Sequence, residues 1–99
     1  MIEKKFTPKR TICKVTFRLP ADIASEEVIL AGDFNDWSTK SNKLEKKGDY
    51  WETTLRLAPS TEYRFRYLLD GDRWVNDEGA DGYAPNPFGS EDCILKIES

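Results

Sequence analysis

The sequence predicts an all-β fold, a two-layer sandwich of about six or seven short strands. Three observations carry that expectation. Apolar and polar residues alternate with a period of two in several separate runs. Clusters of Gly, Pro, Asn and Asp punctuate those runs at short intervals. No stretch carries a convincing helical repeat of apolar residues, and short alternating strands with frequent turns are the pattern of a sandwich.

The elements follow in order. Residues 13–19 (CKVTFRL) put Cys13, Val15, Phe17 and Leu19 on one face and end at Pro20, which has no N–H to extend a ladder. Residues 21–25 read as a short helical turn or loop, and 27–32 (EVILAG) as a buried strand. A polar turn region, 33–41, carries Trp37, and a short strand is expected near 43–46. Gly48-Asp49 turns the chain into 50–57, where Trp51, Thr53, Leu55 and Leu57 share a face. After a break at Pro59-Ser60, residues 62–69 alternate strongly. Tyr63, Phe65, Tyr67 and Leu69 take one face, and Arg64, Arg66 and Leu68 the other. Asp70-Gly71 is a hairpin signal with 73–76 as the returning strand. Residues 77–90 read as one long loop, of a length at which ordered loops are often functional. Residues 92–98 form the last strand.

Ninety-nine residues make a single domain, 1–99, and 38% hydrophobic residues suffice for a modest core. Fifteen basic and 18 acidic residues, spread along the chain, give a net charge of −3 and no basic patch for nucleic acid. The opening Met1-Ile2-Glu3-Lys4-Lys5-Phe6 lacks the apolar centre of a signal peptide, and no run reaches membrane-spanning length, so a cytoplasmic location is expected. Cys13 and Cys93 alternate with apolar neighbours and are expected to be buried, unreactive thiols; a disulfide between first and last strands is not implied. Two cysteines without any histidine argue against zinc. The acidic run Asp70, Asp72, Asp77, Glu78 and Asp81 fails the spacing of a calcium loop, because Trp74 and Val75 stand where an oxygen ligand and a glycine are needed. No metal or cofactor is expected.

Two turns that end in tryptophan draw the functional reading. AGDFNDW (31–37) ends in Trp37, and YRFRYLLDGDRW (63–74) ends in Trp74 with Arg66 in its strand. Sugars present C–H faces that stack on aromatic rings and hydroxyls that take hydrogen bonds, so two indoles with a guanidinium nearby suit a carbohydrate. The bland alternative is that both indoles brace turns and that Arg66 is a solvated strand charge. Trp51, on a face with Leu55 and Leu57, is expected in the core, as is the Tyr63-Phe65-Tyr67 stripe.

These residues also carry a resemblance. AGDFNDW, then G-x-x-W-x-x-x-L-x-L (48–57), then YRFRYLLDGDRW resembles the early-set domain of isoamylases and glycogen branching enzymes. This is carbohydrate-binding module family 48, which includes the glycogen-binding domain of the AMP-activated protein kinase beta subunit. The resemblance runs from about Lys14 to Lys96, and the chain is similar to short bacterial proteins that consist of this domain alone. It implies an immunoglobulin-like sandwich and, in binding members, an α-1,4-glucan site. By position the family's two tryptophans and basic residue fall on Trp37, Trp74 and Arg66. Its last elements, a bulky apolar residue, a small polar one and an asparagine, fall nearest to Phe88, Ser90 and Asp92. Three departures accompany the match. Arg66 stands for the lysine of kinase-type modules, Asp92 stands for asparagine, and the Asp70-Gly71 turn holds one extra residue before Trp74. Arginine keeps the charge and adds a fork of donors, whereas aspartate accepts hydrogen bonds without donating any.

Catalysis is not expected. There is no histidine and no nucleophile elbow, and the family's hydrolase and transferase activities belong to a separate barrel for which 99 residues leave no room. The expected function is non-catalytic binding of glycogen-like glucan. The alternative is an interaction domain of the same fold that has lost sugar binding and docks onto a glucan-metabolising enzyme or another partner.

Overall fold

A computed structural model describes residues 2–98, which form two antiparallel sheets packed as an immunoglobulin-like sandwich. One sheet has the order β1 (Ile2–Phe6), β2 (Cys13–Pro20), β5 (Tyr50–Leu57), β4 (Glu45–Lys47). The other has the order β3 (Val28–Gly32), β6 (Thr61–Leu69), β9 (Glu91–Ile97), β8 (Gly82–Pro85), with the short β7 (Arg73–Val75) paired to β6. Among the described residues no helix is long and apolar enough to cross a membrane.

The period-two pattern sets the layers. Cys13, Val15, Phe17 and Leu19 from β2 meet Phe65, Tyr67 and Leu69 from β6 and Cys93, Leu95 and Ile97 from β9 in one buried cluster. Phe65 is its centre. Its ring stands edge-on to Phe17 at 5.4 Å and to Tyr67 at 5.7 Å, the arrangement that the ring quadrupoles favour. Trp51 is 6% exposed and donates its indole N–H to the Ala21 carbonyl at 3.1 Å, which makes it a core residue. Cys13 and Cys93 are buried free thiols. Burial pushes the Cys93 thiol up to about 11, so it stays protonated and inert near neutrality.

Nine strands are present among the described residues, against the six or seven expected, and the two additions have distinct causes. Strand β1 is hidden in the sequence by a lysine on its inward face. Its register pairs Ile2 with Phe17, Lys4 with Val15 and Phe6 with Cys13, so Lys4 occupies a position that an apolar residue would mark. At this open edge Lys4 Nζ instead reaches across the sandwich to Asp81 Oδ2 and the Lys96 carbonyl, each at 2.7 Å. Strand β8 lies inside the expected loop 77–90. Gly82 and Pro85 bound it, composition that signals a turn but is tolerated on an edge strand.

The acidic run is divided among separate structural tasks, and no group of three or more candidate ligands converges for a metal among the described residues. Asp77, 3% exposed, accepts the Tyr67 hydroxyl at 2.8 Å and the Gly79 N–H at 2.7 Å. Its own N–H donates to Cys93 Sγ at 3.1 Å, which ties the loop base to β9. Burial, with the Asp77 carboxylate alongside, raises the Tyr67 hydroxyl well above its ordinary value and keeps it a donor. Asp70, at the hairpin between β6 and β7, accepts the backbone N–H groups of Ser25, Glu26 and Glu27 at 2.7 to 3.0 Å.

Those three donors stabilise the ionised Asp70 carboxylate and lower its pKa from the ordinary 3.8. A carboxyl depressed in the folded state contributes stability above its unfolded value and loses it as pH falls through the folded value. Asp70→Asn should therefore lower the melting temperature most at about pH 7, with the gap to the wild type closing below about pH 4. Melts of both proteins across that range check the trend, and a gap that stays constant would contradict it.

Candidate functional site

The turn after β3 divides its work residue by residue. Gly32 admits no side chain, since a Cβ there would stand 2.5 Å from the Arg64 carbonyl oxygen and 2.8 Å from Phe65 Cβ. Phe34 points back to the core, with ring centroids 5.7 Å from Tyr63 and 6.0 Å from Phe17. Asn35 clamps the turn. It accepts the Gly32 N–H and donates to the Leu30 carbonyl and to Asn42 Oδ1, at 2.7 to 3.1 Å. Asp36 and Trp37 follow with φ of 55° and 58°. Left-handed backbone costs non-glycine residues of order 1 kcal/mol each and persists only where surroundings enforce it. Here the enforcement comes from Asn35, from the Trp37 N–H on the Gly32 carbonyl at 2.8 Å, and from Asp33. Asp33 takes the Trp37 indole N–H on Oδ1 at 3.0 Å and the Arg64 backbone N–H on Oδ2 at 2.8 Å. The result is a half-buried indole fixed beside β6.

Strand β6 supplies the next wall. Its outer face carries Arg64 and Arg66, the latter opposite the small Ala31 of β3. Alternation alone makes Arg66 exposed, but it is half-buried, and its Nε donates to Asn76 Oδ1 at 2.9 Å. Leu68, on the same face, is 7% exposed because Ile29 and Trp74 flank it across the ladders. Trp74 itself remains 41% exposed, so its indole both covers Leu68 and presents surface to solvent.

A tight hairpin, 86–90, joins β8 to β9 and forms the third wall. Asn86 organises it, accepting the N–H groups of Phe88 and Ser90 on Oδ1 at 3.0 and 3.1 Å. Gly89 takes φ of 81°, and the Asn86 N–H closes onto the Ser90 carbonyl at 2.9 Å. Phe88 is left at the tip, 91% exposed. Beneath it Asp92 is 7% exposed, receives Asn86 Nδ2 on Oδ1 at 3.1 Å and has Arg64 Nη1 3.9 Å from Oδ2.

These three pieces enclose a concavity of about 700 Å³. Trp37, Arg66, Trp74, Phe88 and Asp92 line it, together with Asp33, Arg64, Asn86 and Pro87, which the sequence reading did not single out as site residues. Arg64 carried a usable signal, since it shares the outer face of β6 with Arg66. Asn86 carried none beyond a turn-forming pair with Pro87. Ser90 does not line this concavity; the hairpin turns the residue to a separate shallow one with Asn76 and Glu91. The Asp92 carboxylate accepts from Asn86 and has Arg64 alongside.

Residues 14–98 match the family described as the glycogen recognition site of AMP-activated protein kinase. The chain belongs to this family. Its beta-2 subunit relatives from Mus musculus and Homo sapiens are 33% identical over 52 residues, 52% of this chain and 18% of theirs. The signal transduction protein MDG1 of Saccharomyces cerevisiae (strain RM11-1a) is 32% identical over 91 residues, 82% of this chain and 23% of that protein. The chain thus spans about a fifth of the length of the curated relatives it matches. In this chain one wall of the concavity is the turn that Gly32 and Asn35 lock.

Asp33→Asn tests that construction. An amide offers one acceptor where the carboxylate uses two, so either the Trp37 indole or the Arg64 N–H loses its partner. The variant should lose about 1 kcal/mol of stability in urea unfolding and show altered Trp37 emission. Wild-type stability and emission together would mean that Asp33 does not hold the indole.

Proposed function

We propose that this domain binds α-1,4-glucan chains, as oligosaccharide or glycogen, without catalysing a reaction on them. The observation that carries the reading is the convergence of Trp37, Arg66 and Trp74 on one concavity in a chain of the glycogen-recognition family. Stacking on two indoles would orient successive glucose units by their C–H faces. Arg66 would donate to hydroxyls, and Phe88 at the hairpin tip would add apolar contact. Affinity is expected to be weak, because an open site orders a flexible ligand for little buried area. The carboxylates near the concavity support binding over hydrolysis. Asp33 has both oxygens engaged, and Asp92 lies buried under Asn86, whereas a glycosidase pair must reach the scissile bond.

A second reading, docking onto a protein partner such as a glucan-metabolising enzyme, draws on the 91% exposure of Phe88. Tryptophan fluorescence during titration with maltoheptaose separates the two, since a saturable change is expected only of a sugar site.

Trp37→Ala and Trp74→Ala should each weaken glycogen co-sedimentation by tenfold or more, on the order of one lost stacking contact. Trp51→Ala should instead lower stability by roughly 3–5 kcal/mol, as for other buried indoles, and bind normally where it remains folded. Trp37 and Trp74 variants that bind glycogen as the wild type does would remove the glucan assignment and leave the docking reading.

A further inference from the structure

Arg66 sits at a fork in its sheet. On one side it pairs with Ala31 of β3. On the other, β6 changes partners: the last pair with β9 is Phe65 with Cys93, and the first pair with β7 is Tyr67 with Val75. Among the described residues no strand residue stands opposite Arg66 in that gap, and Asn76, the residue after β7, fills it. Its Oδ1 accepts Arg66 Nε and its Nδ2 donates to the Glu91 carbonyl of β9, both at 2.9 Å. The next residue, Asp77, anchors the backbone there through Tyr67 and Cys93, so the amide stands on a fixed base.

We infer that Asn76 is a positioning residue for glucan recognition, holding the Arg66 guanidinium in the wall of the aromatic concavity. The inference rests on the glucan reading above and extends it to a residue outside the concavity. The choice of an amide matters. A carboxylate at 76 would also accept the Nε proton but would neutralise the guanidinium. A neutral acceptor fixes Nε and leaves the terminal nitrogens, which have no other hydrogen bond or ion pair among the described residues. A long, rotamer-rich side chain is thereby ordered before any ligand arrives, which lowers the entropy lost on binding.

Two measurements test this. The first is a double-mutant cycle on maltoheptaose affinity with Asn76→Ala, Arg66→Ala and the pair. Asn76→Ala should weaken binding roughly three- to tenfold in the wild-type background and by less than about twofold when Arg66 is already alanine. Equal losses in both backgrounds, or no loss in the first, would overturn the inference. The second measurement needs no sugar, and so separates this inference from failure of the glucan reading. The Arg66 Nε–Hε resonance should be rigid and slowly exchanging in the wild type, mobile in Asn76→Ala, and rigid again in Asn76→Asp, which keeps the acceptor. A resonance as mobile in the wild type as those of exposed arginines would refute the inference, whatever the sugar titrations show.

Discussion

The two-residue period of β6 is the constraint from which most of this molecule follows. One face of that strand puts Phe65, Tyr67 and Leu69 at the centre of the core, and the other puts Arg64, Arg66 and Leu68 outside. A shift of register by one residue would exchange the two sets and bury two guanidinium groups without partners, at a cost far beyond any gain elsewhere. Core and concavity are therefore specified together. The tight approach of β3 fixes the same register from the side, because Gly32 lies against the Arg64 carbonyl and Phe65 Cβ where no larger residue fits. The turn bearing Trp37 starts from that contact, which is how an indole comes to share a concavity with Arg66.

The rest of the construction is polar, and it is done largely by asparagine and aspartate. Asn35, Asn76 and Asn86 each use both ends of the amide, joining segments that the ladders leave unpaired. Asp70 and Asp77 collect backbone N–H groups at turns. Among the described residues no buried side-chain nitrogen or oxygen is left without a partner. In a sandwich this small, the loops at one end would otherwise be the least ordered part. Saturating their hydrogen bonds converts them into walls that can present aromatic side chains at fixed separations.

This division explains what was legible in the sequence. The inward faces of β2, β5, β6 and β9 are legible because alternation and burial are the same signal there, and the same signal puts Trp51 in the core. Strand β1 was not readable, since Lys4 interrupts its inward face and finds its partners, Asp81 and Lys96, 77 and 92 residues away. Strand β8 was hidden by its glycine and proline. Trp37, Arg66 and Trp74 could be grouped from motif position, but Asn76 and Asn86 could not. An asparagine in a loop reads as a turn former, and nothing local reveals that its side chain bridges two strands. The same limit applies to Asp92, whose burial depends on how the 86–90 hairpin folds over it.

The distribution of charge around the concavity bears on which ligands it suits. Arg64 and Asp92 stand 3.9 Å apart and offset one another, and Asp33 is occupied by the Trp37 indole and the Arg64 N–H. Arg66 remains as a cation held by a neutral amide. A surface with two aromatic faces, one oriented fork of donors and little net field gives no strong attraction to a polyanion and no strong repulsion of a neutral polyol. On the glucan reading proposed above, recognition would come from shape, stacking and a few directional hydrogen bonds. A neutral chain of repeating glucose units supplies those features, because each unit presents the same C–H face and a similar set of hydroxyls. Selectivity among such chains would depend on the curvature set by the spacing of Trp37, Trp74 and Phe88, and hence on the three turns that hold them.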